Sequence, residues 1–254
     1  MICWEYFNPR RQQTIGRKQR WPINLGLAMF NMAFMRITLG GIAFLSAVNA
    51  SNLSLGVLNQ FQLPNWLEIV ITLLFLDFAI YFQHIISHKW KLLWRLHQIH
   101  HTDLEFDAST AVRFHPLEIV ISMAYKVACV YFIGANPVAV IAFEIILNAT
   151  ATFNHSNINI PAKIDKYLRW ILITPDTHRI HHSTVQSETD SNYGFSISLW
   201  DRLCKTYVAE PEKTQTTIDI GLPDYRKQEE LSFMKLLLLP FRQPLSKNNK
   251  DDKQ

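Results

Sequence analysis

The chain is expected to be all-α and embedded in a membrane, with about four spans in two hairpins and a helical cap carrying histidines. Three observations lead there: four apolar runs, an uneven placement of basic residues between them, and histidines confined to one stretch in helical register. All ten histidines fall between His84 and His182, with none in the 83 residues before or the 72 after.

The first run, roughly Leu25 to Val48, is too long for a signal-peptide core and lacks a small-residue cleavage pattern. At about 20 residues per span it is read as a transmembrane helix. Trp66–Ile86 is a second span. Leu117–Ile133 and Val138–Phe153 are a third and a fourth, joined only by Gly134-Ala135-Asn136-Pro137, a turn by composition. Between the second and third, Trp90–His101 mixes Trp, Leu and His with Lys and Arg at helical spacing, as a helix lying in the interface would. Phe233–Pro240 is too short for a fifth span.

Lys and Arg mark the side of a membrane that faces the cytoplasm. Residues 1–26 carry Arg10, Arg11, Arg17, Lys18 and Arg20, and residues 87–116 carry Lys89, Lys91, Arg95 and Arg113. The 49–65 loop and the 134–137 turn carry none. Four crossings then put both termini in the cytoplasm, together with every histidine. The expected organisation is a basic N-terminal segment (1–26), a membrane region with its histidine-rich interfacial segment (27–154), a cytoplasmic cap (155–240) and a charged, disordered tail (241–254).

Composition narrows the classes further. A net charge of only +4, with dispersed basic residues, argues against nucleic acid as a partner. Cys3, Cys129 and Cys204 are far apart and form no CxxC pair, so neither a disulfide framework nor a thiolate metal site is expected.

The histidines are spaced as ligands. His84 and His88 are i, i+4; His97, His100 and His101 are i, i+3, i+4, a pattern repeated by His178, His181 and His182. Residues three and four apart share a helix face, so each cluster aims at one point. Eight such imidazoles exceed the six positions of an octahedral ion, which implies two ions. Neutral imidazole suits iron, copper, zinc and nickel, so the metal stays open on this ground. Carboxylates are needed near an otherwise neutral shell; candidates are Asp103, Asp107 and Glu118 after the second cluster, and Asp176, Glu188 and Asp190 around the third. Within the spans, Arg36, Asp77, Lys126 and Glu144 lie at similar depth, which suggests the pairs Arg36–Asp77 and Lys126–Glu144. Asp77 and Tyr81 also continue the stripe of His84 and His88. They form either a polar seam below the metals or ion pairs that fix packing.

The text around the clusters carries a resemblance. Trp94-Arg95-Leu96-His97, Thr110-Ala111-Val112-Arg113-Phe114-His115-Pro116-Leu117-Glu118, Thr174-Pro175-Asp176-Thr177-His178 and Glu188-Thr189-Asp190-Ser191-Asn192-Tyr193-Gly194-Phe195 resemble the fatty acid hydroxylase superfamily. That superfamily includes sterol desaturases, sterol C4-methyl oxidases and alkylglycerol monooxygenases. The likeness covers residues from about 65 to 210, with one departure at Cys204-Lys205, where relatives often have Phe-Gly. It implies a membrane-bound, non-haem di-iron enzyme that uses O₂ and two electrons on a lipid. The electrons would come from a separate cytochrome b5-like or ferredoxin-like donor, and the membrane would be a bacterial inner membrane, or the endoplasmic reticulum in a eukaryote.

It also implies His155 as a ninth ligand. His115, Asp77, Asp107, Arg113, Glu118, Asp176, Glu188, Asp190 and Asn192 are expected as neighbours of the ligands or of the substrate. Fatty acyl, sterol, ether-lipid and carotenoid substrates all fit, and hydroxylation, desaturation and ether cleavage share one metal set. The competing readings are a membrane zinc hydrolase using Glu118 or Glu188 as base and a metal transporter. The transporter would need histidines near the midplane, and here that level offers only Asp77 and Glu144.

Overall fold

The computed structural model describes residues 1–38 and 41–242; the charged tail expected over 241–254 falls almost entirely outside the described residues. Among the described residues twelve α-helices follow in order: α1 (Ile2–Phe7), α2 (Arg17–Thr38), α3 (Ile42–Asn52), α4 (Asn65–Lys89), α5 (Lys91–His101), α6 (Pro116–Ile133), α7 (Pro137–Asn154), α8 (Ala162–Leu168), α9 (Pro175–His181), α10 (Gln186–Thr189), α11 (Leu199–Leu203) and α12 (Phe233–Leu238). Among the described residues extended pairing is limited to isolated bridges such as Pro9 with Ile158.

Three helices, α4, α6 and α7, are long and apolar enough to cross a membrane, with 25, 18 and 18 residues. At about 1.5 Å per residue the shorter two reach about 27 Å, close to the hydrocarbon thickness. Their outer faces remain uncovered, with Phe132, Val138 and Ile145 each more than 60% exposed. Continuous apolar surface of this kind is stable against lipid and costly against water.

The expected first span is not one helix. The chain from Leu25 to Val48 divides between α2 and α3, with Gly41 left-handed (φ 71°) at the start of α3. The run still travels the length of the bundle, from Arg20 beside Asp103 at one end to Asn49 beside Tyr131 at the other. It does so in two pieces, and among the described residues neither piece is both long and apolar enough to cross a membrane as one helix. The sequence signal was the Gly40-Gly41 dipeptide inside an otherwise apolar run.

Proline and caps set where the membrane helices begin. Pro116 and Pro137 occupy the first helical turn, where a missing N–H costs nothing. Asn136 caps α7 by accepting from the Val138 and Ala139 amides. Gly134 ends α6 in the left-handed conformation at φ 70°. At this turn end Gly134 meets Gly56, whose missing side chain leaves room for the backbone: a Cβ there would lie 2.2 Å from the Gly134 nitrogen. Val57 donates to the Phe132 carbonyl at 3.1 Å across the same contact. Ala43, Ala47, Leu76, Ile80, Val130, Val140 and Phe143 form the core between the helices. The small Ala43 and Ala47 let α3 nest between α6 and α7.

At the opposite end the basic N-terminal segment is a strap rather than a loose arm. The Glu5 carboxylate is buried and accepts from the Ala108 and Asn157 amides, both at 2.8 Å. Arg20 forks onto Asp103 at 2.7 and 2.8 Å and reaches Asp107 at 2.7 Å. Residues 1–24, 101–115 and 155–183 therefore form one polar layer over the end of the bundle.

Candidate metal centre

Nine of the ten histidines meet between this layer and the ends of α4 and α7. Their ligand nitrogens fall into two groups, each within 4.8 Å: His84, His88, His97, His101 and His181 in one, and His100, His155, His178 and His182 in the other. Each group draws on residues from different sequence clusters. The helix α5 turns His97 and His101 to one group and His100 to the other. On and just after α9, His181 faces the first group while His178 and His182 face the second.

The imidazoles are held by their outer nitrogens. His84 Nδ1 lies 2.7 Å from the Tyr193 carbonyl, His181 Nδ1 2.7 Å from the Ser191 carbonyl, and His155 Nδ1 2.8 Å from the Ala151 carbonyl. His97 Nδ1 lies 2.6 Å from Glu118 Oε1. A carbonyl or carboxylate can only accept, so each Nδ1 carries the proton and each Nε2 presents a lone pair inward. Those of His84, His97 and His181 are close together, His84 to His97 3.1 Å and His84 to His181 3.1 Å; the His155 Nε2 lies 3.0 Å from that of His100 and 3.1 Å from that of His178.

Two inward lone pairs at 3 Å repel unless a cation lies between them. Nitrogens bound to one ion at about 2.1 Å stand about 3.0 Å apart across a right angle. Both ring nitrogens of His88, His101 and His182 are buried without a hydrogen-bond partner, a costly arrangement for neutral groups alone. Burial, reinforced for His181 by neighbouring His97, pushes His155 down to about 4 and His181 down to about 3. Burial and the neighbouring imidazoles also hold His100, His101, His178 and His182 well below the ordinary value. The rings are thus neutral and their lone pairs free. The donor set fits two transition-metal ions.

His115 stands outside both groups. Its Nδ1 caps α6 by accepting from the Leu117 amide at 3.1 Å, so its Nε2 carries the proton toward the Leu237 carbonyl at 3.2 Å.

The carboxylates expected near the ligands divide. Glu118 touches His97, and Asp190 lies 3.8 Å from His88 Nδ1 while also binding Lys89 and the Tyr193 hydroxyl. The others hold the layer together. Asp107 and Asp103 bind Arg20; Asp176 binds Arg10 and Arg179; Glu188 accepts from the Glu212 amide. Arg113 spans Ile99, Asn24 and Thr102. Asn192, at φ 48°, ties Thr177 to Val208. Asp77 does not pair with Arg36: it is buried and accepts from the Trp200 indole at 2.8 Å, whereas Arg36 is exposed. Tyr81 likewise meets Thr206 at 2.8 Å, so the stripe below the histidines faces the 196–206 segment. Lys126 and Glu144 do pair, at 2.6 Å.

A cavity of about 280 Å³ opens beneath the first histidine group, between α4, α6 and α7. His84, His97 and Phe114 form its head and the Lys126–Glu144 pair its lower end. Gln83 and Ser122, hydrogen-bonded to each other, line its wall; composition gave no sign of them because each is one polar residue within an apolar helix. The carbonyls of Ser191 and Tyr193 were equally invisible, although both residues lie in a segment that carries the resemblance.

Comparison with known proteins identifies relatives of this chain. A family model described as fatty acid hydroxylase matches residues 69–206. The ornithine lipid hydroxylase OlsE of Rhizobium tropici is 25% identical over 217 residues, covering 81% of this chain and 64% of that protein. Alkylglycerol monooxygenases of Xenopus tropicalis and Homo sapiens are each 32% identical, over 56% and 54% of this chain. The chain spans less than two thirds of the length of OlsE and about a third of the two monooxygenases (31% and 30%). No solved structure matches. Since the matched region takes in more than half of the chain, the four membrane-side and polar-layer elements that bear the nine histidines included, the protein belongs to the fatty acid hydroxylase family.

Proposed function

We propose that the protein is a membrane-bound, non-haem di-iron oxygenase that acts on a C–H bond of a lipid, using O₂ and electrons from a separate cytochrome b5-like or ferredoxin-like protein. The observation that carries this is the pair of histidine groups at the head of a slot between membrane helices. His84, His88, His97, His101 and His181 would hold one iron, and His100, His155, His178 and His182 the other. When bound, the two ions would supply O₂ activation and oxidation of an unactivated carbon.

The chain's own contribution is geometric. Carbonyls of Ala151, Ser191 and Tyr193 and the carboxylate of Glu118 fix the ligand tautomers. The polar layer excludes water from above, and the slot presents lipid from the side at His84 and His97. Glu188 is engaged with the Glu212 amide, and Glu118 holds His97 through one of its two oxygens, so neither is positioned solely as the general base of a zinc hydrolase. The basic residues gathered at the histidine end, against none in the 49–65 and 134–137 segments, support a metal centre and termini on the cytoplasmic side.

Purified full-length protein should contain about two iron ions per chain and consume O₂ in the presence of reductant. Lipid profiles of a strain lacking the protein, complemented with wild type or with His181→Ala, should differ in one oxidised lipid. Tightly held zinc, with lipid turnover that persists without O₂ and reductant, would sink the proposal.

A further inference from the structure

The slot is largely apolar, but one of its walls is polar. Down one wall α6 presents Glu118, Ser122 and Lys126 at four-residue spacing, about 12 Å of helix at 1.5 Å per residue. From α7, Glu144 closes on Lys126 at 2.6 Å, and Asn148 lines the wall one turn nearer the histidines. Gln83 of α4 bonds Ser122 through one end of its amide; the other end, Oε1, is buried without a partner. Amide and charged side chains inside a membrane are expensive and mark functional positions. The cavity is also small. At about 280 Å³ it lies at the lower end of ligand-pocket volumes, about 300–1,000 Å³, so it takes a segment of a lipid while the rest stays in the bilayer.

We propose that Gln83, Ser122 and the Lys126–Glu144 pair select a lipid segment bearing a hydrogen-bonding amide or hydroxyl group, and that the carbons beside that group are the ones presented at His84 and His97. A plain alkyl segment would leave the buried Gln83 Oε1 unsatisfied. An amide or a hydroxyl both donates and accepts, and so satisfies Gln83 in either orientation of its side-chain amide. This assignment of substrate class rests on the oxygenase reading above.

The test is competitive binding to full-length protein in lipid nanodiscs, read by native mass spectrometry, with three probes of similar length: octadecane, octadecan-1-ol and N-hexadecylacetamide. Wild type should favour at least one polar probe over octadecane by roughly three- to tenfold, the worth of one neutral hydrogen bond. Preference for the amide would point to an amide-linked lipid, and preference for the alcohol to a hydroxylated one. Gln83→Leu should erase that preference, and Ser122→Ala should weaken it, while both variants still bind octadecane. Retained octadecane binding shows that the variants are folded. Equal binding of all three probes to wild type, or an equal loss for all probes in Gln83→Leu, overturns the proposal. Iron content and O₂ consumption of the same preparation are scored separately. A preparation that fails those but keeps the probe preference overturns the oxygenase reading alone.

Discussion

Glu118 Oε1 stands 2.6 Å from Nδ1 of His97, so a carboxylate on the first turn of a membrane helix orients an imidazole on the neighbouring interfacial helix. The contact fixes which nitrogen of His97 faces the centre and places a negative charge beside an otherwise neutral histidine set. Loss of such an outer partner typically costs 10- to 100-fold in metal affinity or activity. Glu118→Ala should therefore weaken metal retention by about that factor. Glu118→Gln, which still accepts from Nδ1 but carries no charge, should lose less. Titration against a chelator measures both.

His155 and His115 differ in ways that can be separated. His155→Ala should lower the metal bound by the second group, because its Nε2 lies 3.0 and 3.1 Å from those of His100 and His178. His115→Ala should leave metal content unchanged and cost about 1 kcal/mol through loss of the α6 cap. Elemental analysis together with thermal denaturation in detergent distinguishes them. Metal loss in His115→Ala comparable to that in His155→Ala would refute the distinction.

Arg20 pairs with both Asp103 and Asp107, and all three side chains are buried. Removing one member of a buried charged cluster costs about 3–5 kcal/mol, so Arg20→Met should destabilise strongly. Burial pushes the Asp107 carboxyl up, but Arg20 and the donors Ser109 and Gln13 outweigh it and hold it below the usual carboxylate range. A depressed carboxylate stabilises the fold above its unfolded value, about 3.9, and that contribution is lost as pH falls through the lower folded value. Wild-type stability should consequently drop below about pH 4, with a shallower acid slope in Arg20→Met. Equal slopes in the two proteins would count against the assignment.

Two glycines with similar backbone angles should respond differently to alanine. At Gly41 (φ 71°) a Cβ would meet nothing within 4 Å, so only the left-handed conformation is penalised, at about 1 kcal/mol. At Gly56 (φ 91°) it would also strike the Gly134 backbone at 2.2 and 2.4 Å. Gly41→Ala should yield folded protein and Gly56→Ala little or none, as judged by size-exclusion chromatography. Comparable yields would mean that the turn contact is not needed.

Much of this was legible in the sequence because it is periodic or compositional. Three membrane helices, the tight turn at Gly134 and the Lys126–Glu144 pair follow from apolar run length, turn residues and equal depth. The histidine clusters announced themselves by i, i+3, i+4 spacing, although their division into two groups did not, since each group borrows from several helices. What remained hidden depends on chain crossings. Asp107, Asp176 and Glu188 flank the motifs in sequence, yet Asp107 reaches Arg20 across 87 residues, Asp176 reaches Arg10 across 166 and Glu188 the Glu212 amide across 24. A carboxylate near a histidine in sequence can point either way, and only Glu118 and Asp190 turn toward the ligands. The split of the first run is the clearest miss, where apolar length outweighed a Gly-Gly pair.

The burial of Glu5 has a consequence for the order of assembly. Its carboxylate is satisfied by the amides of Ala108 and Asn157, groups that leave the ribosome about a hundred and about a hundred and fifty residues later. Until then the start of the chain must wait, hydrated, while α4, α6 and α7 insert. The strap can close only over a finished bundle, and the last histidine of the centre, His182, follows Asn157 in the chain. Long-range closure of this kind is slow relative to helix formation. Docking of the segment around Glu5 is therefore a late step of biogenesis, coincident with completion of the metal centre, and a change that obstructs this segment would be felt in maturation before it was felt in membrane insertion.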